Sequence, residues 1–386
     1  MKLIRLAMVA AVAAGLADVS VATTYYVATN GTGNGTSPES ATNSIQGAID
    51  LCSSGDVVVV GHGVYETGGL TNFPAGSLAA TRVVFTKNNI TVQSVDNDPS
   101  KTIIKGAWDP AATHCGPAAV RCAYLSTGSS LIGFTLTNGA TEASWGLTGR
   151  GGGVYAASTS PKVSNCVIVA NASYFGGGAG YCTLYNCLLS NNYSQGGGGT
   201  HLSILYGCKM IGNSAYNTGG ASFCTLYDCL VAGNTNSGTT AEVAGGMSHC
   251  IAYNCTVVSN VSTRGETGGV AGLPECKLWN CIVYFNTGTN AASGNWYESS
   301  IPFTNCCTTP LPTGSSNITN NPAFVDPGAG NWRLSADSPC LNAGTNQAWM
   351  TTTYPYDLDG NARIRYTHVD IGAYERYTSG TLVHFR

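Results

Sequence analysis

The sequence predicts an all-β protein whose chain winds as a parallel β-helix, with an N-terminal cap and a small C-terminal β-rich module. Three observations predict it. Cys166, Cys187, Cys208, Cys229, Cys255, Cys281 and Cys306 recur at intervals of 21 to 26 residues. An asparagine follows each of the first six by five residues: Asn171, Asn192, Asn213, Asn234, Asn260 and Asn286. Glycine runs separate the repeats, as at Gly176 to Gly178 and Gly196 to Gly199. A fixed short period of this kind, with no helical pattern inside it, marks one coil of a solenoid. A β-sandwich with coincident cysteines is the alternative, but sandwiches carry no such period.

Composition narrows the function classes. The 386 residues include 50 glycines and 16 cysteines, and 17 Lys+Arg against 20 Asp+Glu leave a formal charge of −3. There is no basic excess to neutralise phosphates, which excludes a nucleic-acid binder. Charged residues are 10% of the chain, too few for a coiled coil, and the 43% hydrophobic fraction argues against charge-driven disorder.

Residues 1–22 read as a secretory signal peptide. Lys2 and Arg5 precede an apolar run from Leu6 to Leu16, and small residues lead to cleavage after Ala22. The run is too short to span a bilayer, and no later stretch qualifies as a membrane span. Export or display at the cell surface is the expected localisation. All 16 cysteines then lie in a chain bound for an oxidising compartment.

Residues 23–130 are expected to form the N-terminal cap and first coils. Ile45, Ala48, Ile49 and Cys52 have helical spacing, so a short helix from Ser44 to Cys52 would cover the open end of the stack. Val57 to Tyr65 and Asn88 to Ser94 read as early strands.

Residues 131–310 are the regular repeats. Two positions after each ladder cysteine stands an apolar residue: Ile168, Leu189, Met210, Val231, Val257 and Val283. The residue after the cysteine is mixed, and includes Lys209 and Thr256. The cysteine and its second neighbour therefore face inward. Leu184, Leu205, Leu226, Ala252 and Leu278, three before the cysteine, face inward too, as do Cys182, Ser203, Cys224, Cys250 and Cys276. Immediately before the cysteine stands Asn165, Asn186, Gly207, Asp228, Asn254, Asn280 or Asn305, a left-handed bend between two strands. Upstream, Gly133 is assigned to the cysteine position and Asn138 to the asparagine position. Coils stacked about 4.8 Å apart place like residues above like, so the asparagines can hydrogen-bond along the axis. The longest insertions, Thr235 to Ala244 and Val261 to Thr267, fall on one edge.

The repeats "LLSNNYSQGGGGT" and "KMIGNSAYNTGGAS" resemble those of polymorphic outer-membrane proteins, and more broadly right-handed β-helix proteins of the pectate-lyase-like class. The end, residues 311–386, is similar to the choice-of-anchor Q domain, through "NPAFVDPGAGNWRLSADSPCLNAG" and "DLDGNARIRYTHVDIGAYE". These resemblances imply a right-handed parallel β-helix, an exported protein and a polysaccharide or cell-surface glycan as partner. Asn342 stands where the family usually has an acid, and only Arg376 to Arg386 follow Glu375, so plain secretion is as much expected as attachment.

Catalysis on this class of fold needs a Ca²⁺-holding acidic cluster with a base, or paired carboxylates. Between Gly151 and Cys306 the acids are Asp228, Glu242, Glu266, Glu275 and Glu298. Asp228 reads as a bend residue. Glu242, Arg264 and Glu266 with His249 are the candidate catalytic constellation, against a reading as solvated loop charges. Gly61-His62-Gly63 resembles a polygalacturonase motif without its Asp-Asp companion, so His62 reads as a turn residue. Asp357, Asp359, Asp370 and Glu375 are candidates for Ca²⁺, against a hydrogen-bonding or ion-pair role; no other cofactor is implied.

Tyr185, Tyr206, Tyr227, Tyr253 and Trp279 lie two before the ladder cysteine and face outward by parity. They are the candidate glycan-binding stripe, against simple self-stacking. The cysteines read as buried thiols or as disulfides of open connectivity, with Cys115–Cys122 a local possibility. The expected function is a non-catalytic secreted or cell-surface protein, adhesin-like or structural, binding glycan or another surface. A polysaccharide lyase or glycoside hydrolase is the alternative.

Overall fold

The computed structural model describes residues 22–239, 243–265, 267–272, 276–289, 294–297, 301–365 and 367–377. The chain winds as a right-handed parallel β-helix. Among the described residues, sheet A has twelve parallel strands, from Thr24–Val27 to Gly314–Ser315, and sheet B has ten, from Gly63–Tyr65 to Cys307–Thr308. Sheet C has eight strands, Ala80–Val84 to Val270–Ala271, and sheet D five, Ala172–Phe175 to Val261–Ser262.

The register matches the repeat. In sheet A, Leu184, Leu205, Leu226, Ala252 and Leu278 lie directly above one another. In sheet B, Ile168, Leu189, Met210, Val231, Val257 and Val283 do the same. All are fully buried in one continuous core. The bend between the two sheets is left-handed on every coil, with φ from 49° to 59° at Asn165, Asn186, Gly207, Asp228, Asn254, Asn280 and Asn305. One coil earlier the register corrects the sequence reading by a residue. Gly133 takes the bend, with φ 78°, and buried Phe134 takes the cysteine position. Glycine suits the left-handed bend, and period-2 parity carries Phe134 and Leu136 inward together.

The asparagine file is a hydrogen-bonded ladder. Asn192 donates from both its backbone N–H and Nδ2 to Asn213 Oδ1, at 3.0 and 2.9 Å, and Nδ2 also reaches the Ile168 carbonyl at 2.9 Å. The pattern repeats through Asn234, Asn260 and Asn286. These amides are buried but fully partnered, which removes the penalty of hiding them. The glycine runs close the same corner. A Cβ on Gly178 would stand 2.7 Å from the Gly199 carbonyl oxygen of the next coil.

Helix α1 (Ile45–Leu51) caps the first coil and buries Ile45, Ala48 and Ile49. Ser44 is its N-cap and accepts from the Gly47 N–H at 3.0 Å.

The chain beyond Ser315 doubles back along the outside of sheet B. It carries one antiparallel pair, Phe324–Asp326 with Asn331–Leu334, and a one-turn helix α2 (Trp349–Thr352). Its Phe324, Trp332, Leu334, Ile371 and Tyr374 pack on the outward-facing Leu230, Val258 and Ile282. Arg363 is fully buried beneath it, 3.3 Å from both Asp228 and Glu375. Asp228 is thus a bend residue and also one end of a buried ion pair.

No two of the sixteen cysteines are joined in this structure, and all but Cys115 are buried. Along the ladder each sulfur is locally bonded. Cys187 donates to the Tyr185 carbonyl at 3.3 Å, and the Cys187 N–H reaches Cys208 Sγ at 3.5 Å. Cys115 and Cys122 do not meet. Cys122 lies in the solenoid core and donates to the Thr137 carbonyl, while Cys115 packs outside against Ala79, Ala119, Ala140 and Ala172.

Candidate glycan-binding cleft

The aromatic stripe faces outward from sheet A, as parity requires, but it offers no free ring face. Tyr185, Tyr206, Tyr227, Tyr253 and Trp279 stack with centroids 4.7–5.0 Å apart and interplanar angles of 6–11°. In-register spacing of about 4.8 Å places ring on ring. The stripe ends against Ser164 on one side and Thr304 on the other. Trp349 of α2 then closes on Tyr227 edge-on at 4.9 Å, and Tyr354 leans on Tyr206. Burial pushes the Tyr227 phenol up to about 12. A sugar binds a ring by its face, and the ring faces here are taken up by self-stacking, the alternative reading of the stripe.

Of the candidate catalytic constellation, Arg264 and His249 lie among the described residues. Arg264 is exposed, and no hydrogen bond or ion pair joins it to His249. The His249 ring lies flat on Phe223, with centroids 4.5 Å apart. Glu242 and Glu266 lie outside the described residues. His62 is surface-exposed and its Nε2 meets Asp96 at 2.9 Å.

Each candidate calcium carboxylate accepts from its own set of donors. Asp357 accepts from the backbone N–H of Asp359, Asn361 and Glu375 at 2.8–3.0 Å. Asp370 accepts from the N–H of Asn342 and Arg376, each at 2.7 Å. Asp359 forms a fork with Arg333 at 2.6 and 2.5 Å. Among the described residues no three His, Cys, Asp or Glu are grouped to hold a metal ion.

A different site emerges where two insertions rise over the start of sheet D. One insertion, residues 106–119, joins the strands Thr102–Lys105 and Val120–Leu125; the other, residues 138–153, joins Thr135–Thr137 and Val154–Ala156. Asp109 organises the first. Its buried carboxylate accepts from the N–H of Ala111 and Ala118 at 2.8 and 3.0 Å. The Gly116 N–H donates to the Thr141 carbonyl at 3.0 Å and ties the two insertions together. Arg121, fully buried, holds the second. It donates to the carbonyls of Thr148 at 2.8 Å, Gly151 at 3.0 Å and Phe73 at 2.8 Å.

Between the insertions lies a cleft of about 290 Å³, lined by Thr113, His114, Cys115, Ser173, Tyr174, Tyr193 and Gln195 with two alanines. Tyr174 and Tyr193 come from the first two strands of sheet D, facing outward while Ser173 and Ser194 face in. Trp145 stands against Tyr174 at 4.8 Å and is 74% exposed. Trp108 meets His114 edge-on at 4.6 Å, and His114 stacks on Tyr193 at 5.3 Å. Trp108 and Tyr193 are each about two-fifths exposed. Burial pulls the His114 imidazole below its ordinary value, so at neutral pH it is an uncharged hydrogen-bonding group. Two aromatic walls with hydroxyl, amide and imidazole between them suit the mixed apolar and polar faces of a sugar. The sequence reading passed over Trp108 and Trp145. The available signal was two tryptophans in irregular insertions outside the repeat.

A second groove, of about 570 Å³, runs between sheet B and the C-terminal segment. Lys209, Asn186 and Leu188 form one side, and Tyr354, Tyr356, Asp357 and Asp359 the other. Among the described residues no carboxylate lies within ion-pair distance of Lys209.

No family model matches the sequence, and no curated protein matches it. Solved structures do match. The chain is similar to the crystal structure of pectate lyase Pel9A, with a TM-score of 0.54 and 16% identity over 93% of this chain and 98% of that one. A rhamnogalacturonan lyase aligns with a TM-score of 0.43 and 12% identity over 79% and 91% of the two chains. A pectin methylesterase from carrot aligns at 0.34 and 13% over 78% and 83%. The first of these shows the shared parallel β-helix fold.

Proposed function

We propose that the protein is an exported, non-catalytic polysaccharide-binding protein that holds glycan chains in the cleft between Trp145 and Trp108. The observation that carries this reading is that Trp145 and Trp108, both exposed, each pack on a residue lining the cleft, Tyr174 and His114, with hydroxyl and amide groups in the same lining. The lining residues supply ring faces, hydroxyls, an amide and a neutral imidazole, which is binding chemistry. The fold shared with a protein named as a pectate lyase supports a polysaccharide as the ligand class. The leader pattern of residues 1–22 supports export, and no described helix is long and apolar enough to cross a membrane. Electrophoresis through gels containing single polysaccharides tests the reading. Wild type is retarded by at least one of them, and Trp145→Ala runs closer to its mobility in a plain gel. Equal retardation of the two would refute the cleft.

A polysaccharide lyase is the second reading, favoured by the unpaired Lys209 amine in the groove beside the C-terminal segment. Release of unsaturated ends from a polysaccharide panel with Ca²⁺ present, lost in Lys209→Ala, would establish it over the binding reading.

A further inference from the structure

We propose that Cys307 and Cys340 form a disulfide that fastens the C-terminal segment to the last coil of the solenoid.

The ladder cysteines are poorly placed to pair with one another. Equivalent residues on in-register parallel strands hold their Cβ atoms about 4.8 Å apart, beyond the roughly 3.5–4.5 Å that a disulfide spans. Their side chains also point the same way, and their sulfurs bond to backbone groups. Cys307 differs. It sits on sheet B one position after Cys306, in the outward file, with Ile282 as its strand neighbour. Its side chain therefore leaves the solenoid core and enters the layer under the C-terminal segment. Cys340 enters the same layer from the C-terminal segment. Both are fully buried in one cluster with Ile282, Phe324, Trp332 and Ile371. The neighbouring Cys340 thiol, together with burial, holds the Cys307 thiol above its ordinary value, and Cys307 also reaches the Asn320 carbonyl at 3.2 Å. The two cysteines come from separate elements, so the strand spacing does not hold them apart.

The step needs an oxidant, here a small disulfide such as oxidised glutathione. One protein thiol loses its proton and attacks a sulfur of the oxidant. A mixed disulfide forms and one oxidant thiolate leaves. The second protein thiol loses its proton and attacks the protein sulfur of that mixed disulfide, expelling the other thiolate. Two protein thiols become one S–S bond, and the oxidant takes two electrons and two protons to become two thiols. The pair is shielded once the segment docks, so the bond forms as the segment folds down and is then protected from reductant. Its loop encloses the antiparallel pair Phe324–Asp326 with Asn331–Leu334, so the bond locks that hairpin onto the coil.

The test compares full-length protein refolded in a glutathione redox buffer with fully reduced protein. Both are unfolded in denaturant with excess alkylating reagent. The refolded protein should carry two fewer reactive thiols than the sixteen of the reduced chain, and fragment mapping should join the Cys307 fragment to the Cys340 fragment. Cys340→Ala should lose the cross-link, and Cys52→Ala should keep it. Alkylation of all sixteen thiols, or a cross-link that joins either residue to a different cysteine, would overturn the proposal. The mapping is done on wild type, so the result stands even if a variant folds poorly.

Discussion

Asp228 and Arg363 meet at 3.3 Å with neither side chain exposed to solvent. One belongs to a bend of the solenoid and the other to the segment that folds back over it. Arg363 also donates to the carbonyls of Asp370 and Gly372 at 3.0 and 2.6 Å. Removing one member of a buried pair strands the other charge. Arg363→Met is expected to cost about 3–5 kcal/mol in chemical denaturation. Limited proteolysis should release the C-terminal segment before the coils are cut. Unchanged stability would mean that the segment is held by its apolar contacts alone.

The same cluster gives a pH dependence. Burial raises the Glu375 carboxyl from 4.5 to about 7, with Arg363 opposing the shift and Asp370 adding to it. Between those pH values the folded chain holds a proton that the unfolded chain has released. Stability from this group is therefore greatest below pH 4.5 and falls by about 3 kcal/mol as pH rises through 7. Glu375→Gln should flatten the slope of unfolding free energy against pH across that window. An identical slope in the variant would place the titrating group elsewhere.

Asn234 is the middle of the amide ladder. Its Oδ1 accepts from both Asn213 donors at 2.9 Å, and its Nδ2 donates to the Met210 carbonyl at 2.9 Å. Asn234→Leu leaves these groups buried without partners, at about 1–3 kcal/mol each. A loss of about 3–6 kcal/mol is expected by urea denaturation. A change under 1 kcal/mol would show that neighbouring coils rearrange to satisfy the ladder.

Arg121 acts on the cleft through the insertion that carries Trp145. Arg121→Met leaves the Thr148 and Gly151 carbonyls without their donor. We expect a loss of about 3–5 kcal/mol in stability. In variant protein that remains folded, polysaccharide affinity should also fall. Unaltered affinity would separate the position of Trp145 from this anchor.

How much of this was legible follows from where each residue stands in the repeat. Stacking makes columns of like residues, so the Cys, Asn and Leu files and the left-handed bends could be read directly. Gly133 was read one position late because its coil carries Phe134 where later coils carry cysteine, and only the strand register separates bend from core there. For Tyr227 the sequence showed the side of the sheet. The coil spacing that predicted the stack also implied that its ring faces would be covered, and α2 arrives from a segment with no periodicity to announce it. The insertions that carry Trp108 and Trp145 are held by the tie between Gly116 and Thr141 and by the reach of Arg121, long-range contacts that leave no pattern in sequence.

The most direct measurement is the equilibrium affinity of wild type, Trp108→Ala, Trp145→Ala and Tyr227→Ala for whichever polysaccharide retards the protein in gels. An aromatic contact worth about 0.5–1.5 kcal/mol corresponds to roughly a 2–10-fold change in Kd. The cleft predicts that weakening for each tryptophan variant, at least about fivefold for the two combined, and wild-type affinity for folded Tyr227→Ala. Binding lost in Tyr227→Ala and intact in both tryptophan variants would contradict it.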